Sequence, residues 1–401
     1  MRIALVAQEY PPETAKGGIG SQTWIKAHGL AELGHDIHVI SRATDGPRRD
    51  YSDGTVRVTR VPSRAEVIPA YTEIADWASY SMEVATVLAE LNRTKPFDLV
   101  EFPEWACEGW FHLINRTEWN HVRTAIHLHG PLVMFAHTMG WPALDSEFYH
   151  TGTMMEGACL RLADAVFSSS RCSAEWCAKH YGLDAAKIPI WHSGVDVELF
   201  SPREVAKKDG LTILFAGKLV RNKGVHLLVE AASRLAGEFP GLRLRLLGHG
   251  EPSVVKELQG MADAAGAGEL LDFAGFIARD SLPGELAAAD VFAAPSQYEG
   301  GPGFVYLEAM ACGLPVIACA GSGAAEVIRD GETGLLVPPQ DVASLTDALR
   351  RLLTDAELRG KMGQRGRAYA LAEADSRQCV KKLETLYAAI IAGEPPFAKS
   401  R

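Results

Sequence analysis

A chain of 401 residues is too long for one ordinary core and suits two domains of about 150–200 residues each. It is 47% apolar and 22% charged, as globular proteins are, and its net charge of −10 argues against nucleic acid or an electrostatically held membrane surface as a partner of the whole molecule. The seven cysteines are scattered, odd in number and without a C-x-x-C pair, which argues against a zinc site and fits reduced thiols in a cytoplasmic protein. The apolar run at the N-terminus is too short for a signal peptide, and no stretch approaches the length of a membrane span, so stable membrane insertion is not expected.

In chain order, residues 3–7 read as a first strand, followed by a long loop that carries Gly17 and Gly18. Ser21 is placed to cap a helix that runs to about residue 33, Gly34 ends it, and residues 37–40 form the second strand. This β-loop-α-β unit is the doubly wound pattern of nucleotide-binding α/β domains. Its glycines are not spaced G-x-G-x-x-G, which disfavours a nicotinamide site. Residues 42–70 hold one or two edge strands. Residues 71–92 form a helix with acidic residues and no basic face. Strands at 99–102 and 124–128 end in Pro103-Glu104-Trp105 and His129-Gly130-Pro131.

His129, at the carboxyl end of a parallel strand, sits where such sheets place ligands, though a lone histidine beside an apolar strand is most often a satisfied core residue. His127 is read as structural and facing the other way. A strand at 165–168 precedes a helix capped by Ser170 that runs to about residue 181, and residues 188–191 read as a last short strand. All eight tryptophans precede the charged, turn-rich linker at 201–210. Most suit packing, but Trp105 and Trp110 flank a strand-end loop, and aromatic faces bind sugar rings and flat aglycones, so one of them is a candidate acceptor contact.

The second half restarts with a strand at 212–216 and the turn Gly217-Lys218…Lys223-Gly224 before a helix from residue 225. Two lysines around a strand-to-helix turn can converge on one diphosphate, or simply be solvated. Further strands lie at 242–247, 271–276, 291–295 and 315–319, with a hairpin-like strand at 331–338 and helices at 341–353, 356–371 and 377–391. Between the strands at 291–295 and 315–319 lie Glu299, the loop Gly300-Gly301-Pro302-Gly303, and a helix at 304–312 that contains Glu308. Bare glycine lets a ligand touch backbone, and a helix start turns N–H groups toward an anion. A phosphate would then lie at Phe304 and Val305, a sugar against Gly303, and ribose hydroxyls on Glu308. A glycine-rich turn that only packs is the plainer alternative.

The stretch from Glu299 to Ala318 resembles the donor-site signature of the family-4 retaining glycosyltransferases, which have the two-domain GT-B fold. That signature spaces two glutamates with seven residues between them and continues L-E-A-M-A-x-G-x-P-V-I-A; Leu307 to Ala311, Gly313 and Pro315 to Ala318 match it. Here eight residues separate Glu299 from Glu308, and the glycine loop is expected to absorb the extra one. Other parts are similar to the same family: Gly17-Gly18 to its G-G-x loop, His129-Gly130 to its His-Gly pair, Gly194-Val195-Asp196 to P-N-G-V-D, and Lys223-Gly224 to G-R-L-x-x-x-K-G, with Lys218 in place of arginine.

The resemblance implies an α/β protein of GT-B architecture, two Rossmann-like doubly wound domains facing an interdomain cleft. Residues 1–200 would form the acceptor domain, completed by 377–401, and 201–376 the donor domain. It implies hexosyl transfer from a nucleotide-diphosphate sugar with retention and without a metal. Catalytic roles would fall to His129, Glu299, Lys218 and Lys223. Gly17, Gly18, Gly217, Phe276, Gly303, Phe304, Val305 and Glu308 would complete the donor site, the backbone at Phe276 pairing with the base. A nucleotide-sugar epimerase on the same scaffold, or a catalytically silent nucleotide-sugar-binding protein, are the other readings.

Overall fold

The computed structural model describes residues 1–14, 18–62, 72–118, 121–205 and 209–394. The chain divides into two compact units, Met1–Ser193 with Ser376–Arg401, and Gly194–Asp375. Among the described residues no helix is long and apolar enough to cross a membrane.

The first unit is built on a seven-stranded sheet of order β3-β4-β2-β1-β5-β6-β7. Its strands are β1 (Arg2–Val6), β2 (Asp36–Arg42), β3 (Arg49–Asp53), β4 (Val56–Val61), β5 (Leu99–Pro103), β6 (Arg123–Leu128) and β7 (Ala165–Ser168). Only β3, the edge strand, runs antiparallel to its neighbour. Helices α1 (Gly18–Glu32), α2 (Glu73–Thr94), α3 (Trp110–Ile114), α4 (Leu132–Met139), α5 (Glu147–Leu162) and α6 (Arg171–Tyr181) connect them. The central strands are buried on both faces, so β1 and β5 are apolar almost throughout, as a doubly covered parallel sheet requires.

Helix α1 begins at Gly18, three residues before the cap expected at Ser21. Helix α2 begins at Glu73 with Thr72 as its cap, Thr72 Oγ1 accepting from the Ala75 N–H; the expected start at Tyr71 lies outside the described residues, as does Gly17. Ser170 caps α6 as read, its Oγ accepting from the Ser173 N–H. The strand expected at 188–191 is reduced to a single bridge between Ser168 and Ile190.

The second unit carries a six-stranded, wholly parallel sheet of order β10-β9-β8-β11-β12-β13. It comprises β8 (Thr212–Ala216), α7 (Val225–Leu235), β9 (Arg243–Leu247), α8 (Pro252–Ala264), β10 (Leu271–Gly275), α9 (Leu282–Ala288), β11 (Val291–Ala294), α10 (Phe304–Ala311), β12 (Val316–Cys319), β13 (Gly334–Val337), α11 (Val342–Thr354) and α12 (Ala356–Glu373). The segment read as hairpin-like is β13, which pairs parallel to β12 and is no hairpin.

One boundary differs from the sequence reading. Val195, Val197 and Phe200 are buried in the second unit's core, so that unit starts at Gly194 rather than at the charged linker. At the other end α13 (Ser376–Ala392) packs on the first unit, placing Val380, Leu383, Leu386 and Tyr387 beside Leu5, Ala27 and Leu30. Trp191 Nε1–H donates to the Cys379 carbonyl at 2.7 Å, which anchors the returning helix.

Candidate active site

In the second unit the residues singled out gather at the carboxyl ends of the strands, where a parallel sheet leaves room for a ligand. The turns there are stitched together by backbone: Gly217 N–H donates to Leu247, Gly248 N–H to Gly275, Gln297 N–H to Asn222 and Gly323 N–H to Glu299, all at 2.7–2.9 Å. Gly224 must be glycine: its φ is +70°, and a Cβ would stand 2.0 Å from the Pro295 carbonyl oxygen. The strand-to-helix turn after β8 is thereby pressed against the end of β11.

Glu299 ends up beside that turn. Its Oε1 accepts from Lys223 Nζ at 2.6 Å, a partly buried ion pair joining two of the proposed catalytic residues. Gly303 follows with φ +67° and precedes α10; a Cβ there would lie 2.7 Å from the Tyr306 ring. No side chain caps α10, so the N–H groups at Phe304 and Val305 face their next partner without a competing protein acceptor from a cap. Glu308, one turn in, is 2% exposed, and burial pushes its carboxyl above the ordinary range while Arg279 pulls it back. Arg279 Nη1 donates to Glu308 Oε1 at 2.9 Å, and its guanidinium lies 5.1 Å from the Phe200 ring centroid.

Lys218 is exposed and forms no ion pair among the described residues. Phe276 is 68% exposed, its ring parallel to that of His249 at 5.6 Å. Gly217 shares the turn with Lys218, whereas Gly18 opens α1 in the first unit with open space around its Cα.

The first unit organises a different chemistry. Glu104, just past β5, is fully buried, and its carboxylate accepts from the N–H groups of His129 (2.8 and 2.9 Å) and Gly130 (2.6 Å). Burial pushes that carboxyl up to about 8. Glu108 does the same for the Gln8 N–H after β1, and Glu156 for the Leu132 N–H that opens α4. Burial raises them to about 8 and about 7. Three carboxylates thus fix the loops after β1 and β6 by holding backbone N–H groups.

His129 is half-buried, and burial together with the Lys26 ammonium holds its imidazole well below the ordinary value, hence neutral. His127 does not face the other way as expected. Residues two apart in a strand share a face, and the two rings stand 4.1 Å apart. It is nonetheless a satisfied core histidine. Lys26 Nζ donates to its Nδ1 at 2.7 Å, which puts the ring proton on Nε2, 3.0 Å from Ser169 Oγ. Lys26 also pairs with Glu101, which accepts from the Tyr387 hydroxyl on α13.

Trp105 is partly buried, its ring 5.8 Å from Trp77 and 5.9 Å from Phe135. Trp110 opens α3 and packs against the first unit's core. Among the described residues, Trp105 and not Trp110 makes ring contacts.

Four participants escaped the sequence reading: Arg279, Glu104, Glu108 and Glu156. The signal for Arg279 was indirect, since a glutamate inside an apolar helix needs a cation and a strand-end turn is where one can stand. Glu104 lay in view beside Trp105, but nothing local says that a strand-end carboxylate turns inward. Among the described residues no group of three or more histidine, cysteine, aspartate or glutamate side chains is arranged to hold a metal ion, and the cysteines are free.

The family described as Glycosyl transferases group 1 matches residues 196–369, and Glycosyltransferase Family 4 matches residues 16–199. The D-inositol 3-phosphate glycosyltransferase of Geodermatophilus obscurus is 35% identical over 82% of this chain and 76% of its own length. The GDP-mannose-dependent alpha-(1-6)-phosphatidylinositol monomannoside mannosyltransferase of Mycolicibacterium smegmatis is 35% identical over 52% of this chain, and the match spans 58% of that protein. The structure of sucrose-phosphate synthase from Thermosynechococcus elongatus superposes with a TM-score of 0.80 at 25% identity, covering 98% of this chain and all of that one. With matches across both units, two parallel-sheet domains and glutamates at the strand ends of the second, the chain belongs to the group 1, family-4 glycosyltransferases and is an enzyme of GT-B fold.

Proposed function

We propose that this glycosyltransferase moves a hexosyl group from a nucleotide-diphosphate sugar to an acceptor hydroxyl, with retention at the anomeric carbon and without a metal ion. The observation that carries the reading is the second domain's pairing of carboxylates with cations at one end of the sheet: Glu308 with Arg279, Glu299 with Lys223. Each pair offers a sugar nucleotide both an acceptor for hydroxyls and a cation for phosphate. The name of the mycobacterial relative, which is GDP-mannose-dependent, supports a donor of this class.

In the reaction the bond from C1 to the diphosphate oxygen breaks, and a new bond from C1 to the acceptor oxygen forms on the same face. The acceptor proton passes to the departing phosphate oxygen. Negative charge therefore grows on the diphosphate, and donors already aimed at it lower the barrier. Lys218, Lys223 and the N–H groups at Phe304 and Val305 supply them. Glu308 holds the ribose, Glu299 orients the transferred sugar, and the backbone at Phe276 receives the base. In the first domain, which takes the acceptor, His129 acts as a neutral imidazole and offers a hydrogen bond rather than a charge. Its position rests on Glu104, which fixes the loop through two N–H groups.

The test is a panel of nucleotide sugars assayed for hydrolysis and transfer, with product stereochemistry read by NMR, with and without chelator. Retention and full activity in chelator are expected. An inverted product, or activity lost to chelation and restored by magnesium, overturns the mechanism.

A further inference from the structure

We propose that the acceptor is an uncharged alcohol with a flat apolar or aromatic portion, seated on an aromatic surface beside the His129 loop of the first domain. The inference rests on the reading of this domain as the acceptor side.

The surface is a closed circuit of five rings. Trp77 and Trp105 stand 5.8 Å apart, Trp105 and Phe135 5.9 Å, Phe135 and Trp141 5.8 Å, Trp141 and Phe148 5.5 Å, and Phe148 returns to Trp77 at 5.2 Å. Trp77 forms the buried floor at 9% exposure, Trp105, Phe135 and Phe148 are half-buried, and Trp141 is 44% exposed. Rings in such tilted and edge-on contact hold one another rigid, so a flat ligand meets a surface whose ordering is already complete.

Two links join the circuit to the His129 loop. Trp105 follows Glu104, whose carboxylate holds the His129 and Gly130 N–H groups. Phe135 stands on the first turn of α4, its N–H bonded to the Pro131 carbonyl at 2.9 Å, immediately past that loop.

Charge decides what kind of acceptor fits. Residues 102–115 and 129–160, which carry four of the five rings and the loop, contain no lysine or arginine. They do contain Glu104, Glu108 and Glu156, whose buried carboxyls hold backbone N–H groups and supply no positive charge. The cations on neighbouring elements are committed: Lys26 to Glu101, and Arg42 to Asp76 through two hydrogen bonds. Arg171 and Lys179 on α6 are exposed cations beyond β7. A phosphorylated or carboxylated acceptor would find no lysine or arginine among these residues, whereas an uncharged aromatic one would meet π-faces.

The experiment uses the full chain and titrates it with 2-naphthyl β-glucoside, with inositol 3-phosphate and with phosphatidylcholine vesicles, following tryptophan fluorescence and calorimetry. Saturable binding of the naphthyl glucoside is expected, weakened at least about tenfold in Trp141→Ala, whose exposed side chain can be removed without opening the core. Affinity for nucleoside diphosphate should be untouched by that substitution. The proposal is overturned if inositol 3-phosphate binds in preference and depends on Arg171, if Trp141→Ala binds the probe as wild type does, or if the vesicles carry the protein down through Trp141, which would make the patch a membrane face. Absence of nucleoside diphosphate binding to the wild type would instead strike the donor reading and leave the naphthyl result standing.

Discussion

At the strand ends of the second domain, each carboxylate assigned to chemistry has a cation against it, Lys223 on Glu299 and Arg279 on Glu308. In the first domain, Glu104 and Glu108 past β5 and Glu156 on α5 are fully buried, form no ion pair among the described residues, and hold backbone N–H groups, Glu156 accepting from the Tyr181 hydroxyl as well. The difference separates two jobs for one residue type. A carboxylate paired with a half-exposed cation can exchange that partner for a ligand, because the cation keeps solvent access and finds the ligand's phosphate in return. A buried carboxylate holding N–H groups has nothing to exchange, and releasing them would leave donors unsatisfied at a cost of about 1–3 kcal/mol each. The second domain is thus built to trade contacts, and the first to keep its loops in place.

The contrast is broken most directly at Glu308. If this carboxylate is the exchangeable kind, it takes ribose hydroxyls when nucleotide binds, through charge-assisted bonds worth about 1.5–3 kcal/mol. Glu308→Ala should weaken nucleoside diphosphate binding by roughly ten- to 150-fold in calorimetry. An unchanged affinity would make the Glu308–Arg279 pair structural and erase the difference between the domains.

The converse test lies at Glu104. Its carboxyl is raised to about 8 from an ordinary 4.5, as Glu108's is, with Glu156 at about 7. The folded chain therefore keeps protons that the unfolded chain gives up between about pH 4.5 and pH 8, and stability falls as pH rises through that window. Glu104→Gln cannot ionise, yet offers an amide oxygen to the same N–H groups, so the fall in melting temperature from pH 5 to pH 8.5 should shrink relative to wild type. Glu104→Ala removes the acceptor as well and should lose about 1–3 kcal/mol at pH 5. Equal pH slopes in wild type and Glu104→Gln would show Glu104 ionised in the folded protein, on a par with the carboxylates of the second domain.

How far this division is legible in sequence depends on how local each signal is. Ser170 ahead of α6, the strand β7 and the helix carrying Glu308 follow from caps, apolar runs and glycine stops that act within one turn. The start of the second domain is not local: Val195, Val197 and Phe200 are ordinary apolar residues whose allegiance is decided by which core they enter, and the conspicuous charged stretch after them misled. Glu104, Glu108 and Glu156 are invisible for the same reason. A glutamate after a strand or inside a helix reads as solvated until tertiary packing brings Gly130, Gln8 and Leu132 to it. Arg279 reaches Glu308 across 29 residues of sequence, and only the fold supplies that contact.

The smallest expected effect on nucleotide binding, and the sharpest on selectivity, belongs to Glu299. Eight residues rather than seven separate it from Glu308, and Glu299 lies in the loop past β11 with its carboxylate on Lys223. Gly323, whose N–H donates to the Glu299 carbonyl, holds the backbone there; a Cβ on it would lie 2.3 Å from the Gly301 carbonyl oxygen. Partly exposed ion pairs are worth about 0–1 kcal/mol, so Glu299→Gln should shift nucleoside diphosphate affinity by no more than roughly fivefold, and upward if Lys223 is released to phosphate. Turnover should fall by more than that, because the neutral amide accepts sugar hydroxyls less strongly than a carboxylate does. Discrimination between donors epimeric at C3 or C4 should narrow with it. A Glu299→Gln enzyme with wild-type turnover and selectivity would assign the transferred sugar to backbone N–H groups alone. Glu299 would then be a counter-ion that keeps Lys223 in place, a structural role like that of the first domain's carboxylates.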